Sequence, residues 1–234
     1  MTARRGRPVW LTALLLGCCA ALIVSFILLG NWQMRRLVWK VDLIEAVEAR
    51  AYGDPVAVPA VFDRGAHSYL RVSLTGQFDT GNRVLVKAVT GAGPGYWLMM
   101  PLKTDREIVW VNRGFVPAEA QDPAGWAPPV TPVIGLLRPP EPEGTLLERN
   151  DPGAGRWVSR DVQALSDAVG LGKTAPYFID ADHTAGPPAW PRGGLTQLSF
   201  RNTHLSYALT WYAMAALLAG AVGYLLFSEL RKRR

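Results

Sequence analysis

Two long uncharged apolar stretches, one toward each end of the chain, constrain its fold more than any other feature. Trp10–Leu29 contains no charged residue over 20 positions, and Tyr207–Phe227 contains none over 21. An α-helix rises about 1.5 Å per residue, so roughly 20 apolar residues cross a hydrocarbon layer about 30 Å thick. A segment inside a bilayer must satisfy its own backbone hydrogen bonds, which a helix does. The sequence therefore predicts two transmembrane helices.

The net charge of +6 is concentrated next to these stretches. The flanking charges are Arg4, Arg5 and Arg7 before the first stretch, and Glu229 and Arg231–Arg234 after the second. The remainder of the chain is neutral. Positive clusters beside membrane spans stay in the cytoplasm. We therefore expect a multi-pass membrane protein with both termini cytoplasmic. Its main domain would lie on the far side, in the periplasm if the membrane is the bacterial inner membrane, or in the organellar equivalent. The charge does not indicate a nucleic-acid partner.

The N-terminal stretch has two alternative interpretations, a cleaved signal peptide and a lipoprotein signal. Leu15–Cys18 resembles a lipoprotein processing site, but the apolar run continues to Leu29, and no small-residue cleavage site precedes Asn31. We therefore expect an uncleaved anchor. Cys18 and Cys19 are the chain's two cysteines, so the sequence predicts no disulfide or thiolate site outside the first span.

The residues after the first span predict a helix that leaves the membrane. No Gly or Pro occurs from Asn31 to Arg50, and Gly53 and Pro55 are typical helix terminators. The predicted organisation is a basic tail (1–9), a transmembrane helix (10–29), a periplasmic domain (30–206, with an exit helix at 30–52), a second transmembrane helix (207–227) and a second tail (228–234).

The middle of the chain favours β-strands. Alternating apolar residues in 68–78 and turn residues at 79–82 predict a hairpin with 83–89. A second hairpin is predicted from 96–102 and 108–116, with shorter strands at 133–137, 156–158 and 177–181. Residues 161–171 indicate a helix capped by Asp161. The predicted fold is an α+β membrane protein whose two transmembrane helices flank an antiparallel β-rich extracytoplasmic domain.

The exit helix concentrates aromatic and basic side chains. Trp32, Arg36, Trp39 and Lys40 follow helical spacing, and Arg35 lies beside them. One interpretation is anchoring at the lipid headgroups, where tryptophans and long cations are common. The other is a docking face for an anionic group, such as the carboxylates of a cofactor.

His204 is the histidine whose position suggests chemistry. It lies at the outer end of the second span, with Tyr207 and Trp211 one and two turns further along the same helical face. A neutral imidazole can ligate haem iron there, or it can be a helix-cap residue. His67 and His183 are expected at the surface. The sequence contains no catalytic motif that we can identify, which favours a protein that is not an enzyme.

Three motifs in order resemble those of the surfeit-locus family of cytochrome c oxidase assembly proteins. They are Leu29–Lys40 (LGNWQMRRLVWK), Val111–Pro117 (VNRGFVP) and Asn202–Tyr212 (NTHLSYALTWY). In the second motif, Phe115 replaces the family's usual Trp and keeps an aromatic ring. The resemblance covers nearly the whole chain between and including the two spans.

The resemblance implies a role in assembling a haem-copper terminal oxidase of the aa3 type, by assisting haem a insertion or stabilisation in the catalytic subunit. Haem a would be carried, not used for catalysis, with His204 as its contact and metal ligand. The implied partners are the oxidase's catalytic subunit, the haem a synthesis enzyme as a further candidate, and the lipid bilayer. The predicted cofactor-binding residues are His204, Tyr207, Trp211, Trp32, Arg35, Arg36 and Trp39; contacts by the last four are our own hypothesis.

Two other functions remain open from the sequence. The first is a scaffold that docks on an oxidase subunit without a cofactor, so that the motif residues are structural. The second is a membrane-anchored periplasmic hydrolase or receptor, which the missing catalytic motif disfavours.

Overall fold

The computed structural model describes residues 8–119, 132–142, 144, 148–183, 190–196, 198 and 200–232. It contains two compact units. The helical unit comprises Met1–Glu45 together with Ser199–Arg234, and the sheet unit comprises Ala46–Leu198. The two ends of the chain therefore fold together, and the middle folds separately around its own core.

Two long helices dominate the helical unit. Helix α1 runs from Val9 to Tyr52 without interruption and ends next to Gly53, and helix α4 runs from His204 to Lys232. Both are long and apolar enough to cross a membrane. Only 6% of the apolar window of each is buried inside the protein, unlike the core helix of a soluble domain. The first predicted span and the predicted exit helix are thus parts of one helix.

The sheet unit is built on one eight-stranded sheet. Its strands are β1 (Val56–Ala57), β2 (Arg71–Leu74), β3 (Gln77–Phe78), β4 (Val84–Thr90), β5 (Gly93–Lys103), β6 (Ile108–Pro117), β7 (Val133–Arg138) and β8 (Thr174–Ala181). They follow the order β1-β2-β7-β8-β6-β5-β3, and β4 also pairs with β5. Two short helices, α2 (Arg64–His67) and α3 (Val162–Ala168), complete the unit.

The prediction of an antiparallel domain is wrong in part, because the sheet is mixed. Strand β8 is antiparallel to β7 but parallel to β6, and β1 is parallel to β2. Parallel neighbours need a crossover connection. The chain between β6 and β8 contains β7 and α3, and the chain between β1 and β2 contains α2, so a connection is available in both cases.

The first predicted hairpin is also wrong. The continuous strand predicted at 68–78 is interrupted at Thr75–Gly76, and β4 pairs with β5 instead of with the strand before it. A Cβ atom at Gly76 would lie 2.4 Å from the carbonyl oxygen of Lys103, so the backbones approach closely there. The second hairpin is confirmed as β5 and β6. Residues Arg156 and Trp157 form isolated bridges and not a strand.

The core of the sheet unit follows the alternation of apolar residues. Val72 and Leu74 of β2 are buried, as their spacing predicts, in one cluster with residues of β6, β7 and β8. The neighbours Met99 and Met100 are both fully buried but belong to different clusters, on opposite faces of β5. Helix α3 covers the Met99 cluster and begins as predicted at Asp161, whose carboxylate accepts from two backbone N–H groups.

Candidate functional site

Helix α4 begins at His204, and the residues just before it form its cap. The side-chain oxygen of Asn202 accepts a hydrogen bond from the backbone N–H of His204 at 3.3 Å. The backbone carbonyl of Thr203 accepts from the hydroxyl of Ser206 and from the N–H of Tyr207. These bonds use backbone groups that the first turn of a helix leaves unsatisfied. They hold His204 at the start of the helix without using its ring.

The imidazole ring of His204 contacts Gln33 of α1. The Nδ1 atom lies 2.7 Å from the Oε1 atom of Gln33, across 171 positions of sequence. Both side chains are half-buried. The other ring nitrogen, Nε2, is not part of this hydrogen bond. Gln33 lies in the first of the three sequence motifs (Leu29–Lys40), and His204 lies in the third (Asn202–Tyr212).

A close approach of α1 and α4 explains why Gln33 reaches His204. A Cβ atom at Gly30 would lie 2.5 Å from the ring of Tyr212, so only glycine allows this contact. The Tyr212 hydroxyl donates to Oδ1 of Asn31 at 2.7 Å. One turn deeper on α1, Phe26 stacks on Trp211 with ring centroids 5.8 Å apart. These contacts, read along both helices, show that α1 and α4 run antiparallel.

The predicted site residues on α4 have different surroundings. Trp211 packs on Phe26, so its ring helps to join the helices. Tyr207, by contrast, is 55% exposed. Of the three residues that the sequence places on one face, His204 and Trp211 therefore contact α1, and Tyr207 presents a largely free ring. Its contact with a cofactor stays a prediction.

Of the predicted residues of α1, Trp32, Arg35 and Trp39 lie on another face from Gln33, and Arg36 lies between the two faces. Trp32 and Trp39 are about half exposed, and the guanidinium of Arg36 lies 4.4 Å from the centre of the Trp39 ring. Since each residue turns an α-helix by about 100°, both tryptophans point away from the side that carries Gly30. The structure thus pairs His204 with Gln33, and it places Trp32, Trp39 and the exposed Arg35 elsewhere on α1. A ligand contact by Trp32, Arg35, Arg36 and Trp39 stays a prediction.

Gln33, which contacts His204 directly, is absent from the predicted set of site residues. Lys40, two helical turns further along the same face of α1, lies 5.8 Å from the ring centre of Phe200. The signal for Gln33 was present in the sequence, because membrane anchoring does not require an amide beside the tryptophans. Lys40 belongs to the predicted basic face but was not selected from it.

The central motif has a structural role in the sheet unit. The Asn112 amide nitrogen donates to Oδ1 of the buried Asp180, and its oxygen accepts from the N–H of Gly114. Gly114 has a φ of +129°, and a Cβ there would lie 2.2 Å from the backbone of Arg192. Next to it, Phe115 exchanges two backbone hydrogen bonds with Arg192. The motif therefore joins β6 to β8 and to the chain after β8.

Asp180 is the centre of the largest ionic network in the described part of the sheet unit. Its carboxylate, 4% exposed, accepts from Arg138, Arg160, Asn112 and Thr196 at 2.6 to 2.9 Å. Glu141 bridges the same two guanidinium groups. Burial by itself lowers the pKa of Arg160, but the charge of Asp180 and the hydrogen bond to Glu141 raise it overall. Both arginines also line a cavity of about 380 Å³ with Trp97.

Burial also shifts the pKa of a residue of the central motif. It lowers the pKa of Arg113 to about 10, so that the guanidinium still carries its charge at neutral pH. Its side chain lies against the ring of Phe78, 5.8 Å from the ring centre. In the sheet unit, buried charged groups are thus accommodated by ion pairs, as at Asp180, and by packing on an aromatic ring, as at Arg113.

The donor set at His204 suits a single iron–imidazole bond. An unprotonated imidazole nitrogen is the common axial ligand of haem iron, and a ligating histidine usually has its other nitrogen hydrogen-bonded, as Nδ1 is here. Within the described residues, no group of three or more His, Cys, Asp or Glu side chains is arranged to hold a metal ion.

Comparison with known proteins finds one family that matches most of the chain. The pattern that describes the SURF1 family matches residues 20–216. Surfeit locus protein 1 of Rattus norvegicus is 30% identical over 227 residues, covering 88% of this chain and 72% of that protein. The Homo sapiens protein of the same name is 31% identical over 224 residues, covering 86% and 72%. A SURF1-like protein of Monosiga brevicollis is 34% identical over 209 residues, covering 81% and 78%.

Proposed function

The chain belongs to the SURF1 family, and on that premise we propose that it is a non-enzymatic assembly factor for a haem-copper terminal oxidase that carries haem a on His204. The resemblance to the surfeit-locus family is confirmed by the match over most of the chain. The matched residues include Gln33, His204 and the central motif of the sheet.

The single observation that supports the haem role is the state of the His204 ring. Nδ1 is held by Gln33 at 2.7 Å, at the point where α4 begins and α1 is still continuous. A ring held through one nitrogen can offer the other one without rotating. A histidine that only caps the helix does not need a ring partner 171 positions away, because the N–H of His204 already donates to Asn202 and the ring takes no part in the backbone hydrogen bonds of the first turn.

Different residues near His204 would contact different parts of the haem. The imidazole supplies a lone pair to iron, and Lys40 and Arg36 lie on or beside the face of Gln33 and can neutralise propionate groups. Both α1 and α4 are candidate membrane spans, which supports a site close to the lipid surface, where an apolar macrocycle is soluble. Handover would then require only one coordinate bond to break.

The proposed partners follow from this cargo. The catalytic subunit of an oxidase of the aa3 type is the proposed acceptor, and a haem a synthesis enzyme is the proposed donor. The proposed location is the bacterial inner membrane, with both termini in the cytoplasm and the sheet unit in the periplasm. The basic residues that flank both candidate spans support this orientation.

The test is a binding measurement on the full-length chain in detergent. We expect the protein, made in a host that synthesises haem a, to copurify with haem a and to give its absorbance spectrum. His204→Ala should lose the bound haem or bind it at least tenfold more weakly, because the iron loses its protein ligand. The matched control is His183→Ala, an exposed histidine of the sheet unit, which should bind as the wild type does.

Two outcomes contradict the proposal in different ways. If His204→Ala binds haem a as tightly as the wild type and with the same spectrum, the ligand assignment is wrong. If the wild-type protein copurifies with an oxidase subunit but takes up no haem a when it is supplied, the chain is a scaffold without a cofactor. A deletion strain with normal levels of active oxidase would remove the assembly role altogether.

A further inference from the structure

The two atoms that form the hydrogen bond between Gln33 and His204 determine which side chain donates. They are the amide oxygen Oε1 of Gln33 and the ring nitrogen Nδ1 of His204, 2.7 Å apart. A carbonyl oxygen only accepts hydrogen bonds, so with Oε1 toward the ring this bond forms in the tautomer that carries the ring hydrogen on Nδ1. A neutral imidazole carries one ring hydrogen, and Nε2 therefore keeps its lone pair.

We propose that Gln33 is the positioning residue that fixes His204 in the Nδ1–H tautomer and so keeps Nε2 free to ligate iron, an inference that rests on the proposed function. In the opposite tautomer, Nε2 carries the hydrogen and cannot form a coordinate bond until that hydrogen moves. Gln33 thus prepares the ring before any iron arrives. It acts through His204 and does not itself contact the metal.

The choice of an amide as the acceptor matches its surroundings. Ligating histidines donate their second N–H to a carboxylate, a carbonyl or water. A carboxylate would add a negative charge beside helices of low polarity, where ionised groups are costly. The Gln33 amide accepts the same hydrogen bond without a charge. The pair therefore orients the ring and leaves iron ligation reversible, which a carrier needs.

The rest of the helix contact fixes Gln33 opposite His204. Gly30 admits the Tyr212 ring, Asn31 accepts from the Tyr212 hydroxyl, and Phe26 stacks on Trp211. A helix that is held at three points on one side has no freedom to rotate about its axis. Gln33 lies on the same side as Gly30 and Phe26, so its amide is held at the level of the His204 ring.

The first experiment measures the tautomer without any haem. The full-length chain, labelled with ¹⁵N-histidine and held in detergent micelles, has three histidines, and His204→Ala identifies the signal of His204. We expect a protonated Nδ1 and an unprotonated Nε2. Gln33→Leu should shift the populations toward Nε2–H, which free neutral histidine prefers. Ser228→Ala, which removes a hydroxyl that donates to the Leu225 carbonyl near the other end of α4, is the control and should leave the tautomer unchanged.

The second experiment measures binding of ferric haem and the iron–histidine stretching frequency of the reduced complex by resonance Raman spectroscopy. Gln33→Leu should bind on the order of tenfold more weakly. Gln33→Glu should raise the stretching frequency, because a carboxylate pulls harder on the Nδ1 hydrogen. The second variant keeps an acceptor of the same length, so it tests the idea even if the leucine variant folds poorly.

The outcomes separate the two proposals. If His204→Ala loses haem while the Gln33 variants keep the wild-type affinity, tautomer and stretching frequency, the role of Gln33 is wrong and the haem function stands. If His204→Ala binds haem normally, the proposed function loses its ligand and the role of Gln33 is lost with it. A His204 ring that carries its hydrogen on Nε2 in the wild-type chain overturns the inference directly.

Discussion

Two polar clusters of this protein differ in how many hydrogen-bonding positions of the central side chain are occupied. In the sheet unit, the Asp180 carboxylate accepts four hydrogen bonds and two of its donors are guanidinium groups, all nearly buried. In the helical unit, His204 has one side-chain partner on Nδ1, the neutral Gln33. The carboxylate is saturated by its partners, whereas the imidazole keeps one nitrogen outside its hydrogen bond. The first arrangement holds strands together; the second is suited to accepting a ligand.

The saturated cluster should give the largest effect on stability. Asp180→Asn removes the negative charge between Arg138 and Arg160, and it turns an amide N–H₂ toward a guanidinium. Breaking a buried ion pair by removing one partner costs about 3–5 kcal/mol. We expect that loss in the free energy of unfolding of the sheet unit, measured in denaturant by tryptophan fluorescence on the full-length chain in detergent.

An exposed ion pair in the same unit provides the control for Asp180. Asp151 pairs with Arg156 at 2.6 Å, but both side chains are exposed, and Asp151→Asn keeps the oxygen that caps the next turn. Its unfolding midpoint should match that of the wild type. An Asp180→Asn protein as stable as the Asp151→Asn protein would show that the network does not hold the strands.

The helical unit should respond to a smaller change at its closest contact. Gly30→Ala places a methyl group 2.5 Å from the Tyr212 ring, which then has to move. Overpacking of this kind costs about 1–3 kcal/mol. We expect that loss when the helical unit is unfolded by SDS in mixed micelles and followed by circular dichroism.

Another glycine of the same helix is the matched control for Gly30. Gly17 of α1 has no atom within 4 Å of the added methyl group, so Gly17→Ala should be neutral or slightly stabilising. Equal stability of the two alanine variants would mean that α1 and α4 do not meet at Gly30.

The smallest effect is expected at the hydroxyl of Tyr212. Tyr212→Phe keeps the ring against Gly30 and removes only the hydrogen bond to Asn31, which is worth about 1 kcal/mol. The same SDS titration measures it. Tyr224→Phe, on an exposed part of α4, should unfold as the wild type does. A Tyr212→Phe loss as large as that of Gly30→Ala would mean that the hydroxyl, and not the close packing, joins the helices.

Local patterns in the sequence predicted the elements better than their pairing. The alternation around Val72 and the cap at Asp161 depend on neighbours in sequence, and both are present. The parallel pairing of β6 with β8 depends on residues nearly seventy positions apart, for which a strand pattern contains no information. The break at Gly76 likewise follows from the approach of Lys103.

The candidate site shows the same limit. The position of His204 at the start of a helix could be predicted from the apolar run that follows it. Its partner could not, because the side of α1 that faces α4 is set by Gly30, Asn31 and Tyr212 together. A helical wheel of α1 alone indicates a face with the two tryptophans, and it gives no reason to choose the Gln33 amide as the partner of His204.

The position of β8 in the sheet determines the order in which the domain can be completed. Strand β8 lies between β7 and β6, although it is the last strand in sequence. Without β8, the remaining pairings leave the strands in two separate groups, one with β2 and β7 and one with β5 and β6. Residues 182–203 separate the completing strand from the second candidate span. The sheet can therefore be completed only after synthesis has passed residue 181, shortly before α4 is made.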